Sequence, residues 1–320
     1  MGITKLADLI RSNARDAVSY KDISDYTGKA IALDTSIVVN QFRAATPSLS
    51  PLIGVFFRAL TFLEHDIKPV FVFDGRPPGE KRAVLEKRAE SAGWRSPNRT
   101  GDAEALCAWL VKEGTVDAVA SEDMDTLPFG ASILIRQLNS KKDGEVIEYS
   151  LSKLLERLQI NHQEFVDLCI LLGCDYCEKI CGLGPKRALT LIQKHRTIEN
   201  VILHVNRKTH PVPLFWKYKE ARKIFLDAPR TEPAELTWTE PDEEALVEFL
   251  CRTTHISEGR VRQRLTKFHQ ARESKREERA KQQSSEQCRQ TRMEDFFRIT
   301  RKRSAVAKDS DSKTRSKKRI

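Results

Sequence analysis

Apolar runs that end in carboxylates constrain this chain more than any other feature. Asp34 ends "AIALD" and Asp74 ends "PVFVFD". Asp123 and Asp125 close "VDAVASEDMD", and Asp175 closes "FVDLCILLGCD". Asp102 and Glu104 stand two apart in "GDAEALCAWL". Each apolar run reads as a buried strand or a buried helix. The predicted fold class is α/β, a mostly parallel central sheet flanked by helices. In such sheets ligands sit beyond the carboxyl ends of the strands. Acids gathered there repel one another unless a cation lies among them. An all-oxygen set without His or Cys favours Mg²⁺, or Mn²⁺ as a substitute, over Zn²⁺. Two such ions close together are the machinery of phosphodiester hydrolysis.

Taken singly, each acid has a plainer role. An Asp after a strand usually forms a turn or caps a helix. Asp102 in particular could cap the helix "AEALCAWLVKEG". Three strands ending in or near Asp, plus an acid pair opening a helix, are a poor match to chance capping.

The chain's 320 residues suffice for one large domain or two modest ones, and its 40% hydrophobic content allows a sizeable core. No stretch approaches the ~20 uncharged apolar residues of a membrane span. The start "MGITKLADLI" reads as a short amphipathic segment rather than a secretory leader. Leu6 stands where a myristoylation motif wants Ser or Thr. The seven cysteines, an odd count, read as reduced thiols. Cys174, Cys177 and Cys181 have spacing that could hold zinc, but no second CxxC or HxxxH follows. The net charge is +10, and residues 271–320 hold 17 Lys/Arg against 8 Asp/Glu, which leaves the first 270 residues at +1. The positive charge belongs to the tail.

Along the chain, residues 1–35 read as a short helix and a strand, 51–66 as a helix, and 69–74 as a strand. "GRPPGEKRAVLEKRAESAG" reads as a charged helix begun by Pro77 and Pro78 and ended by Gly93. Lys81 and Arg88 are seven apart and share one of its faces. "WRSPNRT" is a loop, followed by a helix over 103–113, a strand near 116–120 and the strand "SILIRQL". Residues 151–200 are helical. Gly182 and Gly184 form a tight turn that opens a helix with Lys186 and Arg187, and its free backbone amides suit a phosphate. Further helices follow over 242–270. From about 271 the polar, charged composition predicts disorder. One island interrupts it: Gln290, Met293, Phe296 and Phe297, with the last three on one side of a single turn, read as an anchor for a partner's groove. "RKR" at 301–303 and "KTRSKKR" at 313–319 read as nuclear-import or nucleic-acid patches.

These segments together resemble the flap endonucleases of the structure-specific 5′ nuclease family. "ALDTS", "KPVFVFDGRPP", "DAEA", "EDMDTLPFG", "FVDLCILLGCDYCEKICGLGPKRAL", "EPDEEALVEFLC" and the 290–297 box carry the resemblance across most of the chain. It implies an N-terminal nuclease region over 1–93, an internal nuclease region over 101–255 and a C-terminal tail over 256–320. The internal region would contain a helix-hairpin-helix (helix-two-turn-helix-like) DNA-binding element at 165–195. Asp34, Asp74, Asp102 and Glu104 match the acids of one metal, and Asp123, Asp125 and Asp175 those of the second. Lys81 and Arg88 match catalytic bases that counter charge on the phosphate. Gly2 matches an N-terminus lying near the site. Gly182, Gly184, Lys186 and Arg187 match a hairpin that grips duplex DNA, where K⁺ is bound. Gln290, Met293, Phe296 and Phe297 match a ligand of the sliding clamp PCNA. The resemblance implies a monomeric Mg²⁺-dependent endo/exonuclease acting on branched or flapped DNA in replication and base excision repair. Localisation is expected to be nuclear, with nucleolar or mitochondrial use open.

Three departures stand out. Only 27 residues separate Asp74 from Asp102, so the return half of the family's threading arch is missing. Asp102 replaces a Glu, and Asn40 replaces a stacking aromatic. The alternative expectation is a catalytically weakened clamp- and DNA-binding variant.

Overall fold

The computed structural model describes residues 2–74, 103–138, 145–227, 236–239 and 241–287. Among the described residues, six strands form one mixed sheet: β1 (Val18–Asp22), β2 (Ala30–Asp34), β3 (Lys68–Val72), β4 (Ala118–Ala120), β5 (Ile133–Arg136) and β6 (Glu145–Ser150). Their spatial order is β1-β6-β5-β4-β2-β3. The four strands β3, β2, β4 and β5 run parallel. β6 and β1 close one side antiparallel. The mostly parallel α/β sheet expected from the sequence is present.

The inner parallel strands β2 and β4 are buried on both faces, while β3, at the edge, is half-buried. Ala32, Val119 and Leu134 join one core with Leu6, Ile10, Cys107 and Phe165. Their neighbours Ile31, Leu33, Ala118, Ala120 and Ile135 join a second core with Phe62 and Ile67. This alternation follows from the two-residue period of a strand, with helices supplying both covers.

The helices are α1 (Leu6–Asn13), α2 (Thr35–Ala45), α3 (Pro51–Leu63), α4 (Ala103–Lys112), α5 (Leu151–Leu158) and α6 (His162–Leu172). They continue with α7 (Pro185–His195), α8 (Ile198–His204), α9 (Tyr218–Leu226), α10 (Glu243–Thr254) and α11 (Glu258–Gln287). No helix among the described residues is long and apolar enough to cross a membrane.

Sequence reasoning missed β1 and β6. "VSYKD" and "EVIEYS" are short and half polar, so neither offers a clean apolar run. What holds them is each other, with Val18 opposite Tyr149 and Tyr20 opposite Ile147. A pairing over that sequence distance leaves no local trace.

The tail boundary needs correction. Disorder was expected from about 271, within a tail beginning at 256, but α11 runs as one helix to Gln287. Its first turns pack Val261, Leu265 and Phe268 against Phe56 and Leu60 of α3 and Val247 and Leu250 of α10. Three apolar residues at helical spacing suffice to seat it, although its overall composition is charged. Residues 288–320, including Gln290, Met293, Phe296, Phe297 and both basic stretches, lie outside the described residues. The same holds for Lys81 and Arg88.

Candidate functional site

The parallel strands deliver acids to their carboxyl edge. Asp34 is the last residue of β2 and the N-cap of α2, and its Oδ1 accepts from Ser36 N–H at 3.0 Å. Ser36 Oγ–H in turn donates to Asp74, two residues past β3. Asp74 Oδ1 also accepts from Ala103 N–H at 3.0 Å, which brings the start of α4 alongside. Glu104 lies in the first turn of α4. Asp102 lies outside the described residues.

A second acid group follows β4. Asp123 caps a short 3₁₀ turn over Met124–Thr126, its Oδ1 accepting from Asp125 N–H at 3.1 Å. Ser121 Oγ accepts from Asp123 N–H at 3.0 Å. Asp125 Oδ1 accepts from Ile3 N–H at 2.8 Å. That bond brings Gly2 so near that a Cβ there would overlap the carboxylates of both Asp123 and Asp125. Gly2 also has φ +80°, a conformation natural to glycine.

Burial makes these acids costly. Asp34 is 3% exposed, Asp123 7%, Asp125 1% and Glu104 9%. Burial, then the neighbouring charge of Asp123, pushes Asp125 well above the usual carboxylate range, and Asp175 adds to the rise. The Ile3 amide pulls the other way and is outweighed. Asp175 stands in the tight turn after α6, half-buried.

The capping expectation holds in part. Asp34 and Asp123 are caps. Among the described residues no three His, Cys, Asp or Glu stand close enough together to hold a metal ion. That statement also leaves Cys174, Cys177 and Cys181 without a zinc site. The acids are instead engaged locally, with Ser36, Ala103, Asp125 and Ile3 amides. The chemistry of the donor set still fits a hard divalent cation: it is all oxygen, and the buried Asp125 has Asp123 and Asp175 as acidic neighbours.

The glycine turn lies where expected, between α6 and α7. Gly182 has φ +73°, and Gly184 is the N-cap of α7, with no side-chain cap. Lys186 and Arg187 are exposed in the first turn. An open groove of about 500 Å³ runs between this turn and α1, with Lys5, Ser12 and Asn13 on its far wall.

Three positioning residues were not anticipated. Ser36 ties Asp34 to Asp74, and Ser121 orients Asp123. The spacing Asp-x-Ser in "DTS" is a helix-start pattern that points to the first. The third is His210, whose Nε2 accepts from Arg187 Nη1 at 2.5 Å. Arg is always a donor, so the other nitrogen, Nδ1, carries the proton and donates to Cys181 O at 3.3 Å. It comes from a loop 23 residues past Arg187, too far for any local pattern.

A buried carboxylate edge on a parallel sheet, beside a helix pair joined by a glycine turn, defines an α/β protein of the nuclease class. Comparison with known proteins narrows this. The XPG N-terminal domain matches residues 1–93, and the XPG I-region matches 98–175. A probable flap endonuclease 1 homologue of Danio rerio is 57% identical across 99% of this chain and 99% of its own length. Flap endonuclease 1 of Homo sapiens is 37% identical across 100% of this chain and 97% of its own. The fold is shared with the flap endonuclease-1 of Methanococcus jannaschii, with TM-score 0.62 and 24% identity over 81% of this chain and 98% of that one. It is also shared with the catalytic core of Rad2 in complex with DNA substrate, with TM-score 0.67 and 21% identity over 83% of this chain and 99% of that one. The chain belongs to the flap endonuclease family. It is a structure-specific 5′ nuclease, a hydrolase.

The Danio alignment spans 348 positions against 320 residues here, so at least 28 of its positions have no counterpart in this chain. The two XPG matches are separated only by residues 94–97. Both facts accord with the short Asp74–Asp102 connection.

Proposed function

We propose that this chain is an Mg²⁺-dependent nuclease that cuts branched and flapped DNA in replication and base excision repair. One observation carries the reading: Asp125, nearly sealed from solvent, has Asp123 and Asp175 as charged neighbours. Such an arrangement calls for a cation. Asp34, Asp74, Asp102 and Glu104 would hold one ion, and Asp123, Asp125 and Asp175 the other. When bound, Mg²⁺ or Mn²⁺ supplies Lewis-acid polarisation of the phosphodiester and an acidified water.

The chain's own residues do the rest. Ser36 and Ser121 hold the acids in place. Lys81 and Arg88 balance charge gathering on the phosphate. Gly182, Gly184, Lys186 and Arg187 grip the duplex backbone, with K⁺ at the turn, and His210 keeps Arg187 aimed. Gln290, Met293, Phe296 and Phe297 dock on PCNA, the basic stretches direct the protein to the nucleus, and it works as a monomer. The short arch connection shifts its preference from threaded flaps toward recessed 5′ ends.

The test pairs a 5′-labelled double-flap DNA with the same DNA bearing a recessed 5′ end. Both are incubated with Mg²⁺, with Asp123→Ala as control. Cutting beside the junction that the control lacks supports the flap reading. Cutting at recessed ends only makes the chain an exonuclease. Binding without cutting would overturn both and leave a clamp-docked DNA binder.

A further inference from the structure

The turn that carries Asp175 is closed by two cysteines. Cys174 and Cys177 pair as an isolated antiparallel bridge, with Asp175 and Tyr176 at its tip. Their Sγ atoms lie 3.9 Å apart. Both are half-buried, so a small oxidant reaches them, whereas Cys107 and Cys169 are buried. The flanking Cα atoms of a four-residue turn lie within ~7 Å, and a disulfide spans Cα separations of about 4.4–6.8 Å. Side-chain rotation is the main movement needed to bring the sulfurs to the ~2.05 Å of a bond. The spacing first suggested zinc, and with no metal site there, the pair has no role in the chemistry described so far.

We propose that Cys174 and Cys177 form an oxidisable dithiol whose reversible closure slows the nuclease by restraining Asp175. The slowing rests on the reading of Asp175 as a cation ligand; the closure does not. A peroxide is the oxidant. One thiol sulfur attacks a peroxide oxygen, the O–O bond breaks, and a sulfenic acid and one water form. The second thiol attacks the sulfenic sulfur, its S–O bond breaks, and a second water leaves as the S–S bond forms. Two thiols lose two electrons, and the peroxide gains them. Drawing the sulfurs together tightens the turn beneath Asp175. Mg²⁺ demands near-ideal octahedral geometry, so a small rotation of that carboxylate weakens the site.

The full-length protein is treated with hydrogen peroxide, alkylated with N-ethylmaleimide after unfolding, and mapped by peptide mass. The expected product is one peptide holding Cys174 and Cys177, unalkylated and lighter by two hydrogens, restored by dithiothreitol. Cys177→Ser abolishes it and Cys181→Ser does not. The Mg²⁺-dependent cleavage rate falls about 10-fold on oxidation, in the range seen when a metal's supporting contacts are disturbed. It recovers on reduction, and Cys177→Ser resists the peroxide. Alkylation of both thiols after peroxide, or a bridge to Cys181 instead, overturns the dithiol. A disulfide that forms without change in rate overturns the regulation. If the reduced protein never cleaves, the reading of Asp175 fails and the regulation with it, while the mass map still decides whether the dithiol closes.

Discussion

Gly2 shows how little room the acid edge leaves. Its missing side chain is what admits the Asp123 and Asp125 carboxylates. Gly2→Ala adds one methyl in a conformation unfavourable to alanine. The methyl would displace two acids that the proposed function makes cation ligands. Such misplacement costs about 100-fold in rate, and single-turnover cleavage of flap DNA in Mg²⁺ should show it with a much smaller change in melting. Glu148 offers a pH-dependent counterpart away from the site. Burial alone would raise its pKa, but hydrogen bonds from Lys21 Nζ (2.8 Å) and Tyr26 Oη (2.6 Å) outweigh it and hold the carboxyl below its usual value. A folded value below the unfolded one stabilises above the ordinary carboxylate range and is lost as pH falls through the folded value. Glu148→Gln should therefore cost about 1–3 kcal/mol at pH 7. Thermal melts should show the gap to wild type closing below about pH 4.

Helix α6 joins the acid edge to the glycine turn, and one ion cluster fixes its neighbours. Arg222 of α9 donates to Asp167 of α6 through Nε at 2.6 Å and Nη2 at 2.8 Å, and also to Glu199 of α8. Asp167 further accepts from Ile198 N–H at 3.1 Å. Asp167 is 1% exposed, so Arg222→Ala would strand a buried charge. The expected loss is about 3–5 kcal/mol by urea denaturation, and adding Asp167→Asn should recover part of it. Element-scale features divide by how far they reach along the chain. Asp34, Asp74, Glu104, Asp123, Asp125 and Asp175 were legible because each follows an apolar run or opens a helix. The glycine turn was legible from Gly182, Gly184 and Pro185. β1, β6 and His210 were not, because their partners lie far along the chain. The length of α11 was hidden because three apolar residues carry it within a charged sequence.

At the scale of the molecule, three apolar cores divide the work among the described residues. Two clothe the sheet, and the third binds α3, α10 and the start of α11. That third core is reinforced by Arg264 of α11 donating to Glu64 at 2.5 Å. It makes the first turns of α11 part of the folded body. Phe268→Ala should lower stability by about 3–5 kcal/mol in a denaturant titration, an effect no solvated tail position would produce.

The bond from Ile3 to Asp125 crosses 122 residues of chain, and Asp175 enters the same electrostatic neighbourhood later still. During synthesis no growing chain owns the whole carboxylate edge until Asp175 has been added. At roughly 5–20 residues per second this takes about 9–35 s. On the proposed ligand roles, a chain that stops short of Asp175 lacks one acid of the second cation's set and would not yet cleave. Ribosome-bound chains arrested just before Asp175 should be inert, and released chains carrying the whole described body should cleave. On that reading, a contact that spans 122 residues also sets when in synthesis the acid edge becomes whole.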